Sequence, residues 1–218
     1  MPSTHSVPLA RSLSRVGARA PVLLLTLALW GAGTVQAAPL SAPAQAALQA
    51  IQSRGEHQQG PFIVLDKVAA RAWVFDQNAR SLGSTPVLLG AARGDDSVPG
   101  IGERPLSQIA EHERTTPAGR FRLEPGRNHK GEDIFWVDYD AAVSLHRMRT
   151  ADPVQRRAQR MASADVSDNR ISWGCINAPA AFYDEVIRPH FRQGRGTIYV
   201  LPETRPLDTL FNAKARSN

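Results

Sequence analysis

The 218-residue sequence predicts a mainly β domain with a few helices. Three observations carry that expectation. Short apolar or alternating runs recur between polar turns, as in Phe62–Asp66 and Arg71–Phe75. Helical periodicity is confined to short windows near the two ends of the domain, and no internal repeat appears.

The first segment reads as a leader. Met1–Ala20 carries Arg11, Arg15 and Arg19 and no acid, Pro21–Trp30 is apolar, and small residues continue to Val35-Gln36-Ala37-Ala38. This predicts a signal peptide over 1–37, cleaved near Ala37/Ala38. Its apolar core is about half of the ~20 residues a membrane span requires. A retained N-terminal anchor is the rival reading. No second stretch of spanning length follows and no lipobox-type cysteine stands near the site. The expectation is an exported, periplasmic protein with no stable membrane insertion once the leader is gone.

Formal net charge is +6, and the leader's three arginines account for half of it. The remaining Lys and Arg are interspersed with acids, and no basic run is interleaved with aromatics. Nucleic acid is therefore not an expected partner. A modest positive surface suits an anionic polymer such as a cell wall, and equally suits ordinary solubility.

The elements follow in order. Residues 38–60 form a short Ala- and Gln-rich segment, with a helix expected over Ala44–Arg54. The domain proper spans 61–202, opening with the hairpin of Phe62–Asp66 and Arg71–Phe75 and continuing at Pro86–Gly90. Ala91–Gly119 is a long Gly- and Pro-rich stretch with one turn of helix expected at Leu106–His112; loops of that length act as lids or stay disordered. Strands are expected at Arg120–Glu124, Ile134–Tyr139 and Ala142–His146. Helices are expected over Asp152–Met161 and Ala178–Phe191, each with proline in its first turn. Gly196–Leu201 reads as a last strand stopped by Pro202, and 203–218 as a loose polar tail.

The chemistry concentrates at Cys175, the single cysteine. A lone thiol in an exported chain has no internal disulfide partner, in a compartment that favours paired cysteines or none. As a buried small hydrophobe it would be inert. As a nucleophile it needs a base, oxyanion donors and access. In Ser172-Trp173-Gly174-Cys175-Ile176-Asn177, Gly174 allows a tight turn in which the amides of Gly174 and Cys175 point at an oxyanion. The helix expected from Ala178 would add its positive N-terminal end. Candidate bases are His57, His112, His129, His146 and His190. His146, at the end of Val143-Ser144-Leu145, is the best placed, because a strand end aims an imidazole rigidly.

These residues resemble the L,D-transpeptidase (YkuD-type) family. Ser172-Trp173-Gly174-Cys175-Ile176-Asn177 is similar to its Ser/Thr-His-Gly-Cys motif, which continues with an apolar residue and Arg/Asn. Thr116-Pro117-Ala118-Gly119-Arg120-Phe121 is similar to its Thr-Pro-x-Gly-x-Phe segment, and the first hairpin and last strand match in order. The resemblance spans roughly Pro61 to Pro202. It implies a β-sandwich and a cysteine peptidyltransferase of cell-wall biogenesis and cell shape, acting on peptidoglycan stem peptides. Carried onto this chain, Cys175 is the nucleophile and His146 the general base and acid. The Arg147 carbonyl orients the imidazole, the Gly174 amide serves the oxyanion, and Ser172, Trp173 and Asn177 shape the site. The family needs no metal and no organic cofactor.

The implied reaction expels terminal D-alanine through a Cys175 acyl-enzyme and forms 3-3 cross-links. Related readings are an L,D-carboxypeptidase or endopeptidase on peptidoglycan or wall-linked protein; a non-catalytic wall-binding module is the reading from another class. Three departures from the pattern stand out. Trp173 replaces the motif histidine, Arg147 stands where glycine commonly follows the base, and His146 and Cys175 lie 29 positions apart. The excess, Thr150–Asn169, reads as a polar helix and loop that either shapes substrate entry or is a solvated insertion.

Overall fold

The computed structural model describes residues 1, 3, 38–149 and 153–212. By chain contacts the molecule divides into Met1–Thr34 and Val35–Asn218, and every strand and helix described belongs to the second unit. Apart from residues 1 and 3, the leader expected over 1–37 lies outside the described residues, as do 150–152 of the insertion and 213–218.

Ten strands dominate the described residues: β1 (Phe62–Asp66), β2 (Arg71–Phe75), β3 (Ser81–Pro86), β4 (Leu89–Gly90), β5 (Gly119–Arg127), β6 (Asp133–Asp138), β7 (Val143–Arg147), β8 (Arg170–Ser172), β9 (Ile176–Ala178) and β10 (Gly196–Val200). The protein is mainly β with few helices. Eight strands form one sheet in the order β3-β2-β1-β10-β5-β6-β7-β9, and β4 pairs with β8 in parallel. Within the large sheet only β1–β10 and β7–β9 are parallel.

The sheet nearly closes on itself. Leu88, just beyond the β3 edge, exchanges both backbone hydrogen bonds with Asn177 of β9, the opposite edge, at 2.9 and 3.0 Å. Ala72 and Val74 of β2 accordingly share one core with Ile176 and Ala178 of β9. Two layers of side chains face each other across that core, including Ile63, Leu65, Phe121, Phe135, Leu145 and Ile198.

The opposite face of β1, β2 and β10 carries Phe62, Val64, Trp73, Phe75 and Tyr199, covered by helix α1 (Ala42–Ser53). Ser41 caps α1, accepting from the Ala44 amide at 3.2 Å while its hydroxyl donates to Asp66 at 2.6 Å. Ala44, Ala47 and Ile51 supply the buried stripe, spaced three and four apart. With apolar cover on both faces, β1 reads as a continuous apolar run instead of an alternating one.

Three expectations give way. The helix expected from Ala178 starts at Ala180, because Ile176–Ala178 is strand β9, hydrogen-bonded beside β7. The helix then runs through Ala180–Phe182, a widened π segment Tyr183–Ile187 and Arg188–Phe191. Pro189 has no amide to give the Glu185 carbonyl, which accounts for the widened turn before it. The helix expected over 152–161 is a 3₁₀ turn, Pro153–Gln155, followed by α2 (Arg157–Ala162).

The third is the loose tail. Residues 203–212 are fastened to the domain: Leu210 is buried among the α1-side residues, with Phe211 packed beside it. Glu203 and Thr204 enter a buried polar network. Lys67, 1% exposed, pairs with Asp95 at 2.8 Å and Glu203 at 3.5 Å, and Arg170 pairs with Glu203 at 2.6 Å. Asp95 also accepts from the Glu203 and Thr204 amides and the Thr204 hydroxyl.

Candidate active site

Strands β7 and β9 lie side by side in parallel, with Leu145 beside Ile176 and His146 beside Asn177. That register brings the end of β7 against the turn that precedes β9, so His146 and Cys175 meet although 29 positions separate them. His146 and Cys175 line one cavity, and Cys175 Sγ lies 3.7 Å from the Ala142 carbonyl oxygen. His146 Nδ1 lies 2.7 Å from the Arg147 carbonyl oxygen. A carbonyl only accepts, so Nδ1 carries the proton and Nε2 presents its lone pair to sulfur.

The thiol is half-buried. Burial pushes its pKa up, but the hydrogen bond and charge of His146, with hydrogen bonds from the Ser144 amide and hydroxyl, outweigh that and hold it below the ordinary thiol value. Ser144 Oγ lies 3.6 Å from Cys175 Sγ. Sequence reasoning passed over Ser144, although it stands two residues before His146 and shares its side of the strand.

Arg147 does more than lend a carbonyl. Its guanidinium bonds Asp184 at 2.5 Å and Asp133 at 2.9 Å, and its charge sits 4.4 Å above the Tyr183 ring. Those contacts fix the residue whose carbonyl holds His146. Arg147 is thereby clamped to β6 and to the helix over 180–191.

The cysteine turn is closed from within. Ser172 Oγ donates to the Cys175 carbonyl at 2.6 Å and accepts from the Gly174 amide at 3.1 Å. Asn177 Nδ2 donates to the same carbonyl at 3.2 Å. Gly174 has φ +120°, and a Cβ there would lie 2.9 Å from the Thr115 carbonyl oxygen and 3.3 Å from Val143. Only glycine suits that backbone and that space.

Two roles expected from sequence change here. The Gly174 amide, expected to face an oxyanion, is engaged by Ser172 inside the turn. The helix N-terminus expected beside the thiol is displaced by β9, whose three residues at about 3.3 Å each carry the chain about 10 Å away before the helix starts. His146 and Ser144 provide what the helix end does not.

The long stretch 91–119 is ordered where it meets the site. Thr116 Oγ1 donates to the Gly174 carbonyl at 2.8 Å and accepts from the Gly90 amide at 2.9 Å. The Arg114 guanidinium stacks over the Trp173 ring, 3.5 Å from its centroid. Beneath, Lys67 Nζ donates to the Thr116 carbonyl at 3.0 Å. The buried charges therefore brace the loop that braces the turn.

Two cavities open on either side of His146. One, about 280 Å³, exposes Cys175 between Trp173 and Asn177, with Arg149, Gln155 and Arg157 along its other wall. The second, about 390 Å³, runs past Arg147 along Lys130, Glu132 and Asp133. The insertion therefore borders the thiol directly. The other histidines among the described residues are elsewhere: His112, His129 and His190 are exposed, and His57 lies in the turn after α1. Among the described residues, no three His, Cys, Asp or Glu side chains group to hold a metal ion.

No family model matches the chain, and no curated protein matches it in sequence. Among solved structures it is similar to the helical cell shape determining protein Pgp2 from Campylobacter jejuni. That match has 12% identity and a TM-score of 0.44, and covers 67% of this chain and 49% of that one. It is also similar to an L,D-transpeptidase from Mycobacterium smegmatis, at 16% identity and a TM-score of 0.37, covering 65% and 58%. A third is the catalytic domain of the E. faecium L,D-transpeptidase, at 17% identity and a TM-score of 0.38, covering 66% and 98%. The chain spans about half the length of the Pgp2 chain it matches.

Proposed function

We propose that this chain is an exported cysteine acyltransferase of L,D-transpeptidase type that acts on peptidoglycan stem peptides, with 61–202 as its catalytic domain and 1–37 as a cleaved leader. The observation that carries the chemistry is one cavity lined by a half-buried thiol and by an imidazole whose Nδ1 is fixed on the Arg147 carbonyl, with the thiol held below its ordinary pKa chiefly by that imidazole against burial. The substrate class comes from the resemblance of residues 116–121 and 172–177 to that family's motifs.

In the proposed cycle His146 Nε2 takes the Cys175 proton and sulfur attacks the carbonyl carbon of the third stem residue. The tetrahedral oxyanion is held by the Cys175 amide. Collapse breaks the peptide bond, and the terminal D-alanine amine leaves with the proton from His146. The thioester then meets an acceptor amine, which gives its proton to His146, forms the new amide and regenerates the thiol. Water in place of the amine gives carboxypeptidase chemistry.

The test incubates the mature protein and its Cys175→Ala variant with purified tetrapeptide muropeptides and follows the products by mass spectrometry. D-alanine release with a dimer marks transpeptidation, and release without a dimer marks hydrolysis. Absence of both product and thioester adduct across varied stems defeats the assignment.

A further inference from the structure

Glu203 stands three residues after the end of β10, in a stretch that reads as polar tail, yet its side chain is only 3% exposed. Its carboxylate takes two cations at once. Arg170 donates to Oε2 at 2.6 Å and to Oε1 at 3.2 Å, and Lys67 Nζ lies 3.5 Å from Oε1. The Gly94 amide donates to Oε1 at 3.0 Å.

Each cation leads to the cysteine turn. Lys67 donates to the Thr116 carbonyl at 3.0 Å, and the Thr116 hydroxyl donates to the Gly174 carbonyl at 2.8 Å. Arg170 opens β8, and Ser172 at the end of that strand donates to the Cys175 carbonyl at 2.6 Å. One carboxylate therefore gathers the two supports that hold the peptide groups on either side of Cys175. It also offsets a repulsion, since the buried Lys67 ammonium and the Arg170 guanidinium carry like charge. Without it Lys67 keeps Asp95, at 2.8 Å, while Arg170 keeps only backbone carbonyls among its bonds here, those of Lys67 at 2.9 Å and Ala92 at 3.4 Å. The two supports are then free to part.

We propose that Glu203 is a positioning residue for the thiol: its carboxylate clamps the Thr116 loop to β8 and so holds Cys175 in place against His146 and Ser144. The inference deepens the proposed acyl transfer and rests on it for the use of the thiol. It makes a residue beyond the catalytic domain expected over 61–202 part of the working site.

The test follows Cys175 alkylation against pH, together with thermal melting. Glu203→Gln keeps the shape and removes the charge. Its alkylation midpoint is expected to rise by about one pH unit, part of the 1–3 units that a close charge partner commands, because the turn relaxes away from the groups that hold the thiol down. Glu203→Asp keeps the charge and is expected to recover part of the shift. Leu210→Ala loosens the same segment at its apolar anchor, and is expected to lower the melting temperature with the midpoint unmoved. A Glu203→Gln protein that melts lower but keeps the wild-type midpoint overturns the inference, as does an equal shift in Leu210→Ala. Where Glu203→Gln does not fold, Arg170→Lys, which keeps the charge and loses the fork on Glu203, carries the test, and an unmoved midpoint there overturns it. Alkylation needs no peptide, so a shifted midpoint in a protein whose wild type releases no D-alanine sinks acyl transfer and leaves the positioning role standing.

Discussion

Thr116 donates its hydroxyl proton to the carbonyl of Gly174 at 2.8 Å, joining the long loop to the peptide group beside the thiol. The same oxygen accepts from the Gly90 amide, so one fully buried side chain ties three segments together. Thr116→Val keeps the shape and deletes both bonds, leaving a buried carbonyl and a buried amide unpaired. Each costs about 1–3 kcal/mol. The variant is expected to lose stability in urea denaturation and to alkylate more slowly at Cys175, whereas Thr116→Ser retains both properties.

Gly174→Ala tests the turn itself. The added methyl meets the Thr115 carbonyl oxygen at 2.9 Å at a backbone angle that L residues rarely adopt. A destabilisation of about 1–3 kcal/mol is expected, with thiol reactivity lost before global unfolding. Denaturant titration monitored by both tryptophan fluorescence and alkylation separates the two.

The thiol pKa supplies a pH test. Its depression depends on His146 and Ser144 acting against burial. The alkylation profile of the wild type should therefore have its midpoint below that of a free thiol, with reactive thiolate present on the alkaline side. His146→Ala leaves burial opposed only by Ser144 and should move the midpoint up. Turnover should fall by about 10²–10⁴-fold in that variant. An unmoved midpoint would remove His146 from the role of base.

Arg147 is a positioning residue, and its test separates position from stability. The carboxylates that hold it, Asp133 and Asp184, are each more than 40% exposed, so the ion pairs contribute under about 1 kcal/mol to folding. Arg147→Met should melt close to wild type. Its turnover should nevertheless drop, by up to about a hundredfold, because the carbonyl that orients His146 loses its anchor.

Lys67 and Asp95 give the acid-stability prediction. Burial pushes the Asp95 carboxyl up, but Lys67, the Thr204 hydroxyl and the two backbone amides hold it well below the usual carboxylate range. A depressed folded pKa contributes stability that is complete above the unfolded value, about 3.9, and is lost as pH falls through the folded value. Asp95→Asn should flatten that acid limb. Lys67→Met, which strands buried carboxylates, should cost about 3–5 kcal/mol in urea at neutral pH.

How far the sequence reaches depends on where each structural cause lies. β1 and β2 are fully legible because their apolar runs end in local turn signals. β9 is not: Ile176-Asn177-Ala178 is three residues long, and it becomes a strand only because β7 and Leu88 hydrogen-bond it from both sides. Thr209–Asn212 reads as polar text, yet Leu210 and Phe211 find the apolar face beside α1. At the site, Cys175 and His146 are visible through residue type and motif. Thr116, Lys67 and Arg157 act through contacts 20 or more residues distant, for which the sequence carries no local period.

The place of β10 has a kinetic meaning. It lies between β1 and β5, so among the described strands the middle of the sheet is the one latest in chain order. Phe62 pairs with Thr197, a loop closure of well over a hundred residues, and such high contact order slows folding. Until residues 196–200 arrive, β1 and β5 each present an unsatisfied inner edge, and the nascent chain is open to aggregation and to proteases. The thiol thus joins its base in a sheet that is complete only once residues 196–200 have been added between β1 and β5.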